Sequence, residues 1–130
     1  MILIDASALL EILLRTQRAP AIEARIFAPG ETLHAPHLLD IEVAQVIRRF
    51  AGRGEITDGR GREALTDLVD LSIRRYPHQV LLPRIWDLRA NFTAYDGAYV
   101  ALAVALDAPL LTRDQRLATA ARQYARVGLA

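Results

Sequence analysis

The residues of this chain best suited to chemistry are four acids spread over most of its length, Asp5, Glu42, Asp96 and Asp114, with the Thr112 hydroxyl two positions before the last. Carboxylates brought together repel one another unless some protonate or a cation neutralises them. An all-oxygen site completed by water suits Mg²⁺ or Mn²⁺, and one or two such ions can polarise a phosphodiester and activate an attacking water. Other chemistries are excluded by what is missing. The chain has no Cys, which removes thiolate nucleophiles, zinc–thiolate sites and disulfides. All sixteen cationic residues are Arg, so a P-loop lysine and Schiff-base chemistry are absent, while the guanidinium fork remains well suited to phosphate. A GC-rich genome accounts for the same bias without any function. A phosphatase using Asp5 as nucleophile would want a second Asp at position 7, where Ser7 stands, and a Lys.

The elements that must position these acids follow from periodicity and punctuation. Met1 to Ile4 reads as a short strand, followed by a helix capped by Ser7 and running to about Arg15. Pro20 opens a helix that Pro29-Gly30 ends, and Thr32 to Ala35 is a second strand. Leu39, Val43, Val46, Ile47 and Phe50 recur at helical spacing until Gly52. A further helix from about Thr57 to Ser72 is expected to pack Leu65, Leu68, Val69 and Leu71, and Ile73 to Tyr76 is a weak strand. Pro83 opens a helix that Asn91 interrupts, with Trp86 expected in the core. Thr93 begins a helix that is apolar all round from Ala98 to Leu106. Pro109 to Thr112, Asp114 to Arg122 and Arg126 to Leu129 complete the pattern as strand, helix and strand. Short apolar strands alternating with helices predict an α/β fold, a three-layer α/β/α sandwich around a parallel sheet, as one domain over residues 1–130.

In such a sheet the C-terminal strand ends and the following helix starts share one edge, the usual ligand crevice. Asp5 directly follows the first strand, Asp114 lies just beyond Thr112, and Glu42 and Asp96 fall in first turns of helices. Glu42 lies at the margin of its helix's apolar stripe, while Asp40 is about 200° around the helix from it and is left out. Competing explanations exist for each acid. Asp5, Asp96 and Asp114 can be helix caps, and Glu42 can pair with Arg48 or Arg49. The joint pattern carries the inference.

With those residues in hand, the chain resembles the PIN-domain ribonucleases, and most closely the VapC toxins of bacterial toxin–antitoxin pairs. The resemblance rests on Ile2-Leu3-Ile4-Asp5-Ala6-Ser7-Ala8-Leu9, Leu39-Asp40-Ile41-Glu42-Val43, Thr93-Ala94-Tyr95-Asp96-Gly97-Ala98-Tyr99 and Leu110-Leu111-Thr112-Arg113-Asp114-Gln115-Arg116-Leu117. It implies that Asp5, Glu42, Asp96 and Asp114 form an acidic metal site supported by Thr112, with Mg²⁺- or Mn²⁺-dependent endonucleolytic cleavage of RNA and inhibition by a cognate antitoxin protein. Val104 stands where many relatives place an acid, and Asp107, where many have Gly, reads as a loop residue.

The apolar face of the first helix, Leu9, Leu10, Ile12, Leu13 and Leu14, is wider than one core contact requires, and the expectation is a homodimer, with burial beneath a neighbouring helix as the alternative. Arg113 and Arg116 are the first candidates for RNA contact, then Arg15, Arg48 and Arg49. A net charge of +1 argues against holding nucleic acid by bulk charge alone. His34, His37 and His78 lack metal-ligand spacing and are expected at the surface or in loops. With no export-type segment and no apolar run near the roughly 20 residues that span a bilayer, the expectation is a cytoplasmic protein without membrane contact. A metal-stabilised binding module without catalysis, or a DNA-cleaving nuclease of the same fold, would use the same ligands.

Overall fold

The computed structural model describes residues 1–130. Its five strands, β1 (Ile2–Ile4), β2 (Leu33–Pro36), β3 (Ile73–Tyr76), β4 (Leu110–Thr112) and β5 (Val127–Leu129), are all parallel and lie in the order β3-β2-β1-β4-β5. Helices α1 (Ala6–Leu13), α2 (Ala19–Ile26), α3 (Leu38–Gly52) and α4 (Asp58–Asp70) follow the first two strands. A 3₁₀ turn (Gln79–Leu81), α5 (Leu82–Asp87), α6 (Ala94–Leu106) and α7 (Gln115–Ala121) follow the others.

Strand alternation divides the core into two layers. Ile2, Ile4, Leu33, Ala35 and Leu111 join the cluster beneath α1 to α4, while Leu3 and Leu110 join the cluster beneath α6 and α7. The central strand is therefore apolar at every position, as a strand covered on both faces must be. Helix α6 runs close to the sheet with Gly97 through Ala103 buried without a break, the burial expected of a helix with no polar stripe. Ile85 of α5 lies in van der Waals range of where a Gly97 Cβ would be, so α5 packs directly on the start of α6. The α/β/α sandwich expected from the sequence is the observed fold.

The chain order fixes where the sheet reverses. From β1 the chain moves outward one way to β2 and β3, then crosses back to β4 and continues the other way to β5. The reversal falls between β1 and β4, and a crevice opens at the carboxyl ends of strands on either side of such a point.

Several expectations are corrected. Asp5, not Ser7, caps α1, its side chain accepting from Ala8 N at 3.0 Å. The second helix ends at Ile26 rather than Ala28, and α5 ends at Asp87. Val69 and Trp86 are 76% and 64% exposed, because neither lies on the inward face of its helix. Trp86 instead carries the Arg89 guanidinium 4.3 Å from its ring centroid. His34 is buried, since β2 is an interior strand, and both ring nitrogens are engaged at 2.7 Å, by Thr32 Oγ1 and by Tyr76 OH. Burial, then the positive N-terminus and Arg74, push its pKa down. Asp107 terminates α6 in the left-handed conformation, φ 49°, the backbone reason a Gly suits this position. Leu10, Ile12 and Leu14 are partly buried and pack against the core, so neighbouring helices cover part of the wide α1 apolar face and leave the rest to solvent. No helix is long and apolar enough to cross a membrane.

The neighbouring residues Leu68 and Val69 test this layering. Leu68→Ala, at a buried position, is expected to cost about 2–5 kcal/mol, and Val69→Ala to stay within about 0.5 kcal/mol. Denaturant midpoints of the two variants measure the contrast, and equal losses would contradict it.

Candidate active site

Asp5 ends the extended backbone of β1 and caps α1 in the same step. Its buried carboxylate is held from three sides: Ser7 Oγ donates to Oδ1 at 2.7 Å, Ala8 N donates to the same oxygen at 3.0 Å, and Thr112 Oγ1 donates to Oδ2. Thr112 closes β4, the strand paired with β1, and its hydroxyl also accepts from Asp114 N at 3.0 Å. Ser7 Oγ in turn accepts from Arg113 N at 2.8 Å and lies 3.2 Å from Thr112 Oγ1. This knot ties the two strands together at the sheet's reversal. Ser7 was legible only as a cap. The Asp-x-Ser spacing at a helix start is the signal that could have placed it beside Asp5.

Glu42 approaches from the second turn of α3. No Arg pairs with it; Tyr99 OH donates to its Oε1 at 2.6 Å. Tyr99 is buried on α6, where a phenol needs a partner, and it lies three residues after Asp96 on the same helical face. That spacing was the unread signal for its role. Burial, the adjacent Glu42 charge and the donated hydrogen bond all raise the Tyr99 pKa, so the hydroxyl remains a donor at every ordinary pH.

Asp96 stands in the first turn of α6, half-buried, but it does not cap the helix. Thr93 does, accepting from Asp96 N at 3.1 Å. Asp114 does cap α7, one oxygen accepting from Arg116 N at 2.9 Å and Leu117 N at 3.1 Å. Capping and exposure to the crevice coexist in Asp5 and Asp114, so the two explanations weighed for these acids are not exclusive.

All four acids line one cleft of 510 Å³, together with Ser7, Tyr99 and Arg49. A larger cavity of 830 Å³, lined by Val104, Arg122, Tyr124 and Arg126, lies at the opposite end of the sheet and includes none of them. The electrostatics agree with the cleft. Burial raises the pKa of Asp5, with a further push from Asp114. Burial likewise raises Glu42, with Asp5 and Asp96 adding to it. Asp96 is raised by burial, then by Asp114 and Asp5, against a lowering by Arg116. Asp5, Glu42 and Asp96 each feel acidic neighbours across the same space. They do not close on a point, however, for no three acidic or His groups stand close enough together to clasp an ion. The donor set is all-oxygen and mutually repelling, which fits a small hard cation that keeps several of its waters and excludes a soft or thiolate-seeking metal.

The Arg candidates separate. Arg113 turns away from the cleft: its Nε lies 3.6 Å from Glu11 and its Nη1 donates to the Ala130 carbonyl. Arg15 lies against Glu63 and Asp67, and Arg48 lines none of the cavity around the acids. Arg49 lines the cleft, and Arg116 lines an adjoining cavity beside Asp96 and Asp114. Asp40 is outside, bound by both oxygens to Arg75 at 2.7 and 2.9 Å, and joins α3 to β3.

A PIN-domain family model matches residues 2–123, and the chain belongs to that family. Within it the relatives are narrower in kind. A VapC ribonuclease of Mycobacterium bovis is 46% identical over 117 residues, covering 90% of this chain and 88% of the relative. Ribonuclease VapC12 of Mycobacterium tuberculosis is 40% identical over 129 residues, covering 99% and 98%. The chain is thus a member of the VapC ribonucleases. Solved structures share the fold at low identity. A Pyrobaculum aerophilum protein superposes with TM-score 0.71 at 20% identity, over 97% of this chain and 87% of that one. VapC20 of Mycobacterium tuberculosis does so with TM-score 0.70 at 12% identity, over 92% and 95%.

The raised carboxyls carry a sign. Stability they contribute is fully present below their ordinary values, 3.8 for Asp and 4.5 for Glu, and is lost as pH rises through the raised native values. In chelator, Asp96→Asn is therefore expected to melt a few degrees above wild type near neutral pH, with the gap closing in acid. Thermal melts across pH measure this; a variant no more stable than wild type at neutrality would mean that the acids do not repel across the cleft.

Proposed function

We propose that this chain is a divalent-metal-dependent endoribonuclease, the toxin of a toxin–antitoxin pair, cutting RNA in the cleft lined by Asp5, Glu42, Asp96 and Asp114. The observation that carries the assignment is the assembly of four carboxylates, from four separated segments, around one cleft at the sheet's reversal. The names of its relatives as ribonucleases support the reaction.

Asp5, Glu42, Asp96 and Asp114 are the residues that would hold Mg²⁺ or Mn²⁺. The chemistry such an ion supplies when bound is polarisation of the phosphodiester and acidification of the attacking water. The chain's own part is orientation. Thr112 and Ser7 donate to Asp5, which fixes its carboxylate plane and offsets part of the rise that burial imposes on its pKa. Tyr99 does the same for Glu42, and because that phenol does not ionise it cannot withdraw the bond as pH rises. Arg49 and Arg116 stand at the rims, where guanidinium can meet phosphate oxygens that the acids would otherwise repel.

A cognate antitoxin, a homodimer and action in the cytoplasm belong to the same reading. Complexes among the structural neighbours, VapBC2 of Rickettsia felis and FitAB, support an antitoxin partner. For the homodimer, α1 offers the partly exposed Leu10, Ile12 and Leu14, which also pack against the core.

Single-turnover cleavage of labelled RNA with Mg²⁺ or Mn²⁺ tests the assignment. Asp96→Asn is expected to lower the rate by at least about a hundredfold, chelator to abolish it, and DNA of the same sequence to remain intact. Equal rates from wild type and variant would remove the nuclease assignment and leave a binding module.

A further inference from the structure

The acidic cleft does not stand alone. A second cavity of 650 Å³, over the start of α6 and along α7, shares Asp96, Asp114 and Leu117 with it. The two spaces therefore meet at the carboxylates and leave them in opposite characters. One arm is apolar and aromatic, with Leu38, Ile41, Val46 and Tyr95 around Gln45 and Arg49. The other carries more polar groups, Asn91, Thr93, Gln115, Thr119 and Arg116, beside the apolar Phe92, Leu117 and Ala120.

Tyr95 is the conspicuous residue of the first arm. It immediately precedes Asp96 in the first turn of α6, yet it is 63% exposed, and Ile41 across the arm is 70% exposed. Its neighbour Tyr99 is buried and bonded to Glu42, whereas Tyr95 contributes no core packing that would require an aromatic ring. Ring and aliphatic side chain left in water beside an anionic centre suit a flat, uncharged partner whose charge lies elsewhere along its length. A nucleobase on a phosphodiester chain has that form.

We propose that the joined cavities form a track for single-stranded RNA, with Tyr95 the stacking platform for an unpaired base beside the scissile phosphate and Arg116 the contact for a phosphate on the far side. The inference rests on the nuclease assignment and adds how the substrate is held. The acids repel the backbone, so affinity comes from the arms: stacking on one side, guanidinium and hydroxyl contacts on the other. A duplex keeps its bases stacked on each other and has none to offer Tyr95, so the track favours unpaired loops.

The test measures binding of a short, labelled, mixed-sequence RNA by anisotropy in the Asp96→Asn background, which separates binding from cleavage, using the single strand and its duplex. Adding Tyr95→Ala is expected to weaken single-strand binding roughly 5- to 150-fold, with Tyr95→Phe retaining it. Adding Arg116→Ala is expected to reduce the slope of log affinity against log salt by about 0.7. Tyr95 and Arg116 are both exposed, which predicts thermal melts of these variants superimposable on that of Asp96→Asn alone. Unchanged affinity on Tyr95→Ala, or duplex bound as tightly as single strand, overturns the track while wild-type cleavage of RNA leaves the nuclease assignment standing. Tyr95→Ala that binds RNA normally but loses a co-expressed antitoxin gives the surface to a protein and overturns the proposal as well. Failure of the protein both to bind and to cleave RNA overturns the track and the assignment together.

Discussion

Like charges crowded at the edge of a rigid sheet set the terms for everything else in this molecule. Carboxylates that feel one another across a cleft cannot all ionise freely, and a flexible loop would relieve the strain by swinging them apart. Here they have little room to move. Asp5 and Thr112 sit at the ends of paired, fully buried strands, and Glu42 and Asp96 project from the second turn of α3 and the first turn of α6, helices packed on opposite faces. The two apolar layers hold the backbone, and the backbone holds the charges. The raised carboxyl pKa values mark stability given up at that one edge.

The same edge shows how little dedicated structure the site needs. Asp5 and Asp114 each neutralise the open N–H groups of a helix start, a task any such helix requires, and their positions beside the reversal make them available to the cleft. Only Ser7, Thr112 and Tyr99 are additions, and each is a hydroxyl that fixes a carboxylate. A hydroxyl suits this work because it donates one proton and still accepts: Thr112 bonds Asp5 while taking the backbone N–H of Asp114.

What could be read from the sequence, and what could not, divides along the same physical line. Period and punctuation are local, so the order of elements, the layers and the edge that Asp5 and Asp114 share were legible, as was the phase that aimed Glu42 inward. Partnerships between distant residues were not. Nothing near Glu42 announces Tyr99, fifty-seven positions on, nor does anything near Asp5 announce that Thr112 will share its proton. Apolar character misled where it stood at the wrong phase, as for Val69 and Trp86, and polar character misled at His34, whose nitrogens found Thr32 and Tyr76 inside the sheet. Arg113 was misplaced because a residue beside the site can point its backbone at Ser7 and its side chain at Glu11.

The meeting of two unlike cavities at one pair of aspartates has an evolutionary reach. Ile41, Tyr95, Gln115, Arg116 and Thr119 line the arms from exposed positions outside both apolar layers, whereas Leu38, Phe92 and Leu117 line them while belonging to or packing against one. Substitutions at those exposed positions are nearly free of folding consequences, unlike changes at the core positions beside them. On the proposed RNA track, change along the arms would alter which strand is held while the aspartates at the junction keep their places.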